Sequence, residues 1–358
     1  MTGELGSGLG RFRVAARGAA GILLAAALGA GLSLGEVAKP KRRPVGPYGR
    51  AVMAVAVDPM SAGTLYAGTG GGAFQSADGG ATWTALDPTF VGMPVGALAI
   101  DRSTPSTVWV GTGVGIFKKT ADGTRRIALN TEMGGLFVGA IAIDPSASAT
   151  VYAGTGGGVF KSTDGGERWA EMDRGLTNQF VTTLAIDPSA PATLYAATNG
   201  GGVFKSVDGG ANWKASSDGL KSAIVLALTI DPKSPTTLYA QTVEGVFRSS
   251  DAGKSWIPAS NGLSSRFALS LAIDPTTSAT LYAGTASGVF RSADGGSSWT
   301  LASVGLTNQF VTVLVADPSA PGTLYAGTDG GLFKTTSGGS SWVELKRSND
   351  ERRPRAGD

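Results

Sequence analysis

The sequence predicts an all-β protein, a seven-bladed β-propeller of four-stranded antiparallel blades, and three observations carry that reading. A Ser/Thr-x-Asp-Gly-Gly-x-x-Trp text recurs along the chain, the interval between recurrences is nearly constant, and every interval holds four short strand-like segments. Asp78, Asp122, Asp164, Asp208, Asp251 and Asp294 occupy one equivalent position and Ser337 the seventh, at intervals of 44, 42, 44, 43, 43 and 43 residues. So small a drift around 43 implies one supersecondary unit copied seven times.

The third unit shows the elements in order. VGAIAID (138–144) is a near-continuous apolar run, as expected of a strand buried on both faces. The turn PSASA leads to TVYAGT (150–155), glycines lead on to VFKST (159–163), the DGGE hairpin follows, and RWAEM (168–172) closes the unit. Short strands, frequent turns and no helical period read as an antiparallel meander. Repeated at this period, it is a propeller, with a solenoid of β-units as the lesser alternative. The span from Ala51 to about Leu345 holds seven whole units. Ring closure is therefore expected by packing of blade 7 on blade 1, without a borrowed strand.

The recurring polar residues have local work to do. Asp58, Asp101, Asp144, Asp187, Asp231, Asp274 and Asp317 each end a first strand, and all but Asp101 precede Pro. An Asp carboxylate bonds amides two residues on, and Pro presets φ for the turn. In the hairpin, the Ser/Thr hydroxyl and the Asp serve nearby amides while Gly supplies a positive φ. A catalytic group is not needed seven times around one ring, so these Asp residues read as structural. Tyr66, Tyr152, Tyr195, Tyr239, Tyr282 and Tyr325, with Trp109, mark the second strand, and Phe74 to Phe333 mark the third. Trp83, Trp169, Trp213, Trp256, Trp299 and Trp342 are assigned to the fourth strand, with Ile127 replacing Trp in the second unit. Such recurrence points to packing between neighbouring sheets.

Composition bounds the rest. The chain has 358 residues, 55 Gly, 42% hydrophobic residues, and neither Cys nor His. Disulfides, thiolate nucleophiles, Cys/His zinc sites and imidazole bases are excluded, and no metal or cofactor is expected. Residues 1–50 carry eight Lys/Arg against two acids and residues 346–358 five against three, whereas residues 51–345 hold 17 against 22. The basicity belongs to the ends, so nucleic acid is not an expected partner. Arg11, Arg13 and Arg17 precede an uncharged run from Gly18 to Gly35, and residues 1–35 read as a signal peptide or membrane anchor. Residues 36–50 read as a basic, Pro-rich linker, 51–345 as the propeller, and 346–358 as a disordered basic tail. An exported monomer follows, periplasmic, extracellular or tethered to the envelope, with membrane contact only through the N-terminal segment.

SADGGATW, STDGGERW, SVDGGANW, SSDAGKSW and SADGGSSW resemble the Asp-box, or bacterial neuraminidase, repeat. TADGTRRI in blade 2 and TTSGGSSW in blade 7 depart from it, losing the Trp and the Asp respectively. The resemblance implies the propeller fold. It leaves function open, because its members include sialidases, xyloglucanase-type hydrolases, the sortilin ectodomain and a photosystem II assembly factor.

A site is expected on the face opposite these hairpins, where the loops between strands two and three meet the blade-entry loops. Polar candidates there are Arg50, Asn178, Gln179, Asn199, Glu244, Arg266, Asn308, Gln309 and Asp329. A sialidase would need an arginine cluster and an arginine-isoleucine-proline signature, and the nearest text is RIAL at 126–129. GTGGG lacks the Lys-Ser/Thr of a phosphate loop. The expected function is a non-enzymatic module binding a protein or glycan. A glycoside hydrolase using Glu244 and Asp329 as its carboxylate pair is the alternative.

Overall fold

The computed structural model describes residues 46–104, 107–127, 136–265 and 267–345. The expected signal or anchor, most of the linker and the C-terminal tail lie outside the described residues. Seven four-stranded antiparallel sheets follow one another, each built from four strands consecutive in sequence. The only helical piece among the described residues is one 3-10 turn, Pro88–Phe90. In blade 3 the strands are Val138–Ile143, Val151–Thr155, Gly158–Ser162 and Ala170–Glu171, paired in that order from the ring axis outward.

The outer strand corrects the sequence reading. In six blades it is two residues long, and the Trp stands just before it rather than in it. The physical reason is the hairpin. In blade 3 the Ser162 hydroxyl donates to Asp164 (2.8 Å) and accepts from the Gly166 amide (2.8 Å), while Asp164 accepts from the Arg168 amide (2.9 Å). That latch holds the turn wide, and the ladder begins only at Lys161↔Ala170. Blade 7 makes the same loop with Thr335 and Ser337.

Seven hydrophobic clusters make the core, one at each seam between blades. At five of the seams the Val opening an inner strand packs onto a Gly in the second strand of the preceding blade. A Cβ at Gly154 would come 2.7 Å from Val181, and one at Gly68 2.6 Å from Val95. The seam is also gripped from outside. Tyr152 and Lys161 both donate to the Gly209 carbonyl in the next hairpin (3.2 and 3.1 Å), with Lys161 5.2 Å over the Tyr152 ring. Burial pushes the Tyr195 hydroxyl up to about 12, which keeps it a donor to the Ala252 carbonyl.

Closure needs no borrowed strand, as expected. Val52 meets Gly327, Thr312 donates to the Val52 carbonyl, and Lys334 donates to Gly79 (3.3 Å). Residues 46–50 sit on the same seam, with Tyr48 packed against the cluster of Val52, Leu65 and Leu332.

The latch carboxylates make the ring acid-sensitive. Donation from Asn212, Ser255 and Ser298 side chains, helped by their amides, holds Asp208, Asp251 and Asp294 at about 2. The unfolded value lies near 3.9, so this stabilisation is complete above about pH 4 and is lost as pH falls toward 2. With no His to titrate, the thermal midpoint is expected to stay level between about pH 5 and 7 and fall steeply below about 4. The Asp294→Asn variant is expected to show a shallower fall. A midpoint at pH 2.5 equal to that at pH 7 would contradict the assignment.

Candidate functional site

The seven inner strands wall a central channel, and none of them contains an ionisable residue. Its two mouths differ. At the latch face the inner strands end on Asp58, Asp101, Asp144, Asp187, Asp231, Asp274 and Asp317, and each carboxylate accepts the amide two residues on. Met60 to Asp58 (2.9 Å) and Ser146 to Asp144 (2.8 Å) are examples. These carboxylates are turn-makers, as expected. A cavity of about 410 Å³ opens here across blades 2 to 4, lined by Ile100, Ile143, Ile186, Asp101 and Asp144 among others. Ser103 donates to Ser148 (2.8 Å) across its rim.

The opposite mouth carries a feature the sequence analysis missed. The residue just before each inner strand is Ala51, Pro94, Phe137, Phe180, Ile224, Phe267 or Phe310, and all seven are half-buried. Four phenylalanines and an isoleucine thus form an apolar collar. The signal was present as a spacing of 43, 44, 43 and 43 residues from Phe137 to Phe310. Phe137 lies over Gly96 and Gly139, where Cβ atoms would come 3.0 and 3.1 Å from its ring. Phe180 rests against Gly156 of blade 3 (3.6 Å by the same measure).

Several sequence candidates serve this collar. Asn178 accepts from the Phe180 amide (3.0 Å) and donates to the Asn199 carbonyl (3.2 Å), and the Asn199 amide donates to the Phe180 carbonyl (2.9 Å). Asn308 accepts from the Phe310 amide (3.1 Å). The repeated GLTNQFV text therefore spells a loop that locks its own phenylalanine. Gln179 donates to Asp173 (2.6 Å), and Gln309 is exposed. The Arg50 guanidinium lies over Gly71, where any Cβ would collide with it. Arg266 lies outside the described residues.

Glu244 and Asp329 are exposed on the hairpins between strands two and three of blades 5 and 7. Blade 6 stands between them. Packed sheets lie about 10 Å apart, which puts the two hairpins roughly 20 Å apart.

No family model and no curated protein matches the chain. Solved structures do match. The GH74 enzyme of Niastella koreensis has a TM-score of 0.71 at 20% identity, covering 84% of this chain and 55% of its own. The shared property is the propeller fold. The chain spans about half the length of that enzyme. The extracellular domain of a putative hybrid two component system, BT4673 of B. thetaiotaomicron, gives 0.64 at 18%, covering 80% of this chain and 38% of that one. YCF48 bound to D1 peptide gives 0.61 at 14%, covering 82% and 94%.

Proposed function

We propose that this chain is an exported, non-enzymatic propeller of the Asp-box class that binds a protein partner at the phenylalanine collar. The carrying observation is the collar itself: apolar side chains left partly exposed at a mouth, two of them, Phe180 and Phe310, on loops whose asparagine is spent on holding them. Aromatic anchors on a rigid rim are what binding energy concentrates on. A peptide is favoured over a glycan because the YCF48 structure holds a peptide. Export is supported by the apolar N-terminal run and by the extracellular BT4673 domain. An intact Met1 in the cytosolic fraction would refute it.

The second reading, a glycoside hydrolase, draws on the likeness to the GH74 enzyme. Paired carboxylates act at about 5–5.5 Å or 6.5–9.5 Å, well inside the separation expected of Glu244 and Asp329. One experiment separates the readings. A peptide array probed with the full chain should select apolar and aromatic sequences. Phe137→Ala with Phe180→Ala and Phe310→Ala should weaken the best of them at least about tenfold, the loss of one anchor or more. Glu244→Gln with Asp329→Asn should leave that affinity unchanged. Xyloglucan turnover abolished by Glu244→Gln would replace this reading with the second.

A further inference from the structure

We propose that the outer edge of blade 2 takes up an extended, acidic segment of a partner protein as a fifth strand. This surface is separate from the collar and does not depend on it.

Blade 2 is the one blade whose hairpin lost both the closing Trp and the wide latch. Its third strand, Gly115–Thr120, turns through Ala121 and Asp122 into Gly123–Ile127. The ladder then runs unbroken from Thr120↔Gly123 to Ile116↔Ile127. The result is a five-residue outer strand where every other blade has two.

Four of the other edges, those of blades 4 to 7, are also covered from behind. The Trp213, Trp256, Trp299 and Trp342 amides donate to Arg174, Asp218, Asn261 and Val304 of the preceding blade (2.8–2.9 Å). Among the described residues no such main-chain bond reaches the blade 2 edge. Thr124 touches blade 1 through its hydroxyl, which donates to Asp87 (2.8 Å). In a hairpin closed by a two-residue turn, the flanking pair and every second pair exchange hydrogen bonds. Gly123, Arg125 and Ile127 therefore turn their main chain inward, while Thr124 and Arg126 turn theirs out. An open row of this kind is a template for another strand.

Charge selects the occupant. Residues 115–127 carry Lys118, Lys119, Arg125 and Arg126 against Asp122, in a body that is otherwise acidic. Arg125 and Arg126 are exposed, Arg125 in a two-pronged pair with Glu167 (2.6 and 2.8 Å) and Arg126 on the Val114 carbonyl (2.7 Å). A second copy would set arginine against arginine across the new ladder, which is unfavourable. The chain's own ends are basic and are disfavoured for the same reason. An acidic strand from another protein meets both the open main chain and the charge.

The test uses the full chain and an eight-residue peptide of alternating Val and Glu, with a Val/Lys peptide as control. The Val/Glu peptide is expected to bind and to slow hydrogen exchange at the Thr124 and Arg126 amides; the Val/Lys peptide is expected to do neither. Arg126→Glu should weaken binding about tenfold. Thr124→Pro should abolish it, because Pro removes an outward donor and spares the inward ladder. If Thr124→Pro does not fold, Arg126→Glu decides. Equal binding of both peptides, protection confined to the collar, or a dimer that protects the same amides would each overturn the proposal.

Discussion

Trp299→Ala is expected to destabilise the protein by about 3–5 kcal/mol, the range for truncating a buried aromatic. Trp299 is 3% exposed and packs with Tyr239, Ala259, Leu281 and Phe290, so it belongs to blades 5 and 6 together. Its indole N–H donates to the Ala259 carbonyl (2.8 Å) and its amide to the Asn261 carbonyl (2.9 Å). Truncation opens a cavity at the seam and leaves the Ala259 carbonyl without that donor. Trp299→Phe keeps most of the packing and loses only the indole bond, so its cost should be about 1–3 kcal/mol. Urea unfolding of both variants checks the ranking. If Trp299→Ala falls within about 1 kcal/mol of the parent, the outer hairpins are not what ties blade to blade.

Ala268→Val is expected to destabilise by about 1–3 kcal/mol through overpacking, and Gln241→Gly is expected to rescue it. Six seams set a valine against a glycine or alanine of the preceding blade. Gly68 faces Val95, Gly111 Val138, Gly154 Val181, Gly284 Val311 and Gly327 Val52, and Ala197 holds the same position toward Val225. At the seam between blades 5 and 6 that register sets Gln241 toward Ala268, the one inner strand that does not open on valine. The bulk has changed sides. Gln241 is fully buried, and neither its amide nitrogen nor its oxygen has a hydrogen-bond partner. Such an orphaned group costs about 1–3 kcal/mol, so the double variant should be more stable than the parent by an amount of that order. A double-mutant cycle reads the coupling; additivity within about 0.5 kcal/mol would show that the two side chains do not meet.

Much of this was legible in the residues. The turn-making Asp residues and the Ser–Asp latch need only neighbours a few positions away, so local sequence announced them correctly. The outer strand was misread because RWAEM looks like a strand by composition, while the latch geometry that delays the ladder cannot be read from composition. Asn178 and Asn308 read from the sequence as polar binding candidates. In the structure each side-chain oxygen accepts from the amide of the phenylalanine two residues on, Phe180 or Phe310, a role the sequence did not announce. The collar went unseen because each of its members is a lone apolar residue at the end of a loop, ordinary by itself.

By itself the sequence determined the blade and the number of blades, since apolar strand runs, turn chemistry and a 43-residue period are all written along the linear chain. Tertiary structure alone decided what stands beside what. Closing the ring carries residues one period apart onto a single mouth and makes Phe137, Phe180, Phe267 and Phe310 neighbours. It also leaves Glu244 and Asp329 with a whole blade between them, and exposes the one outer edge whose latch has gone. Those relations are set by distances through space, and a linear chain holds them only once it has closed on itself.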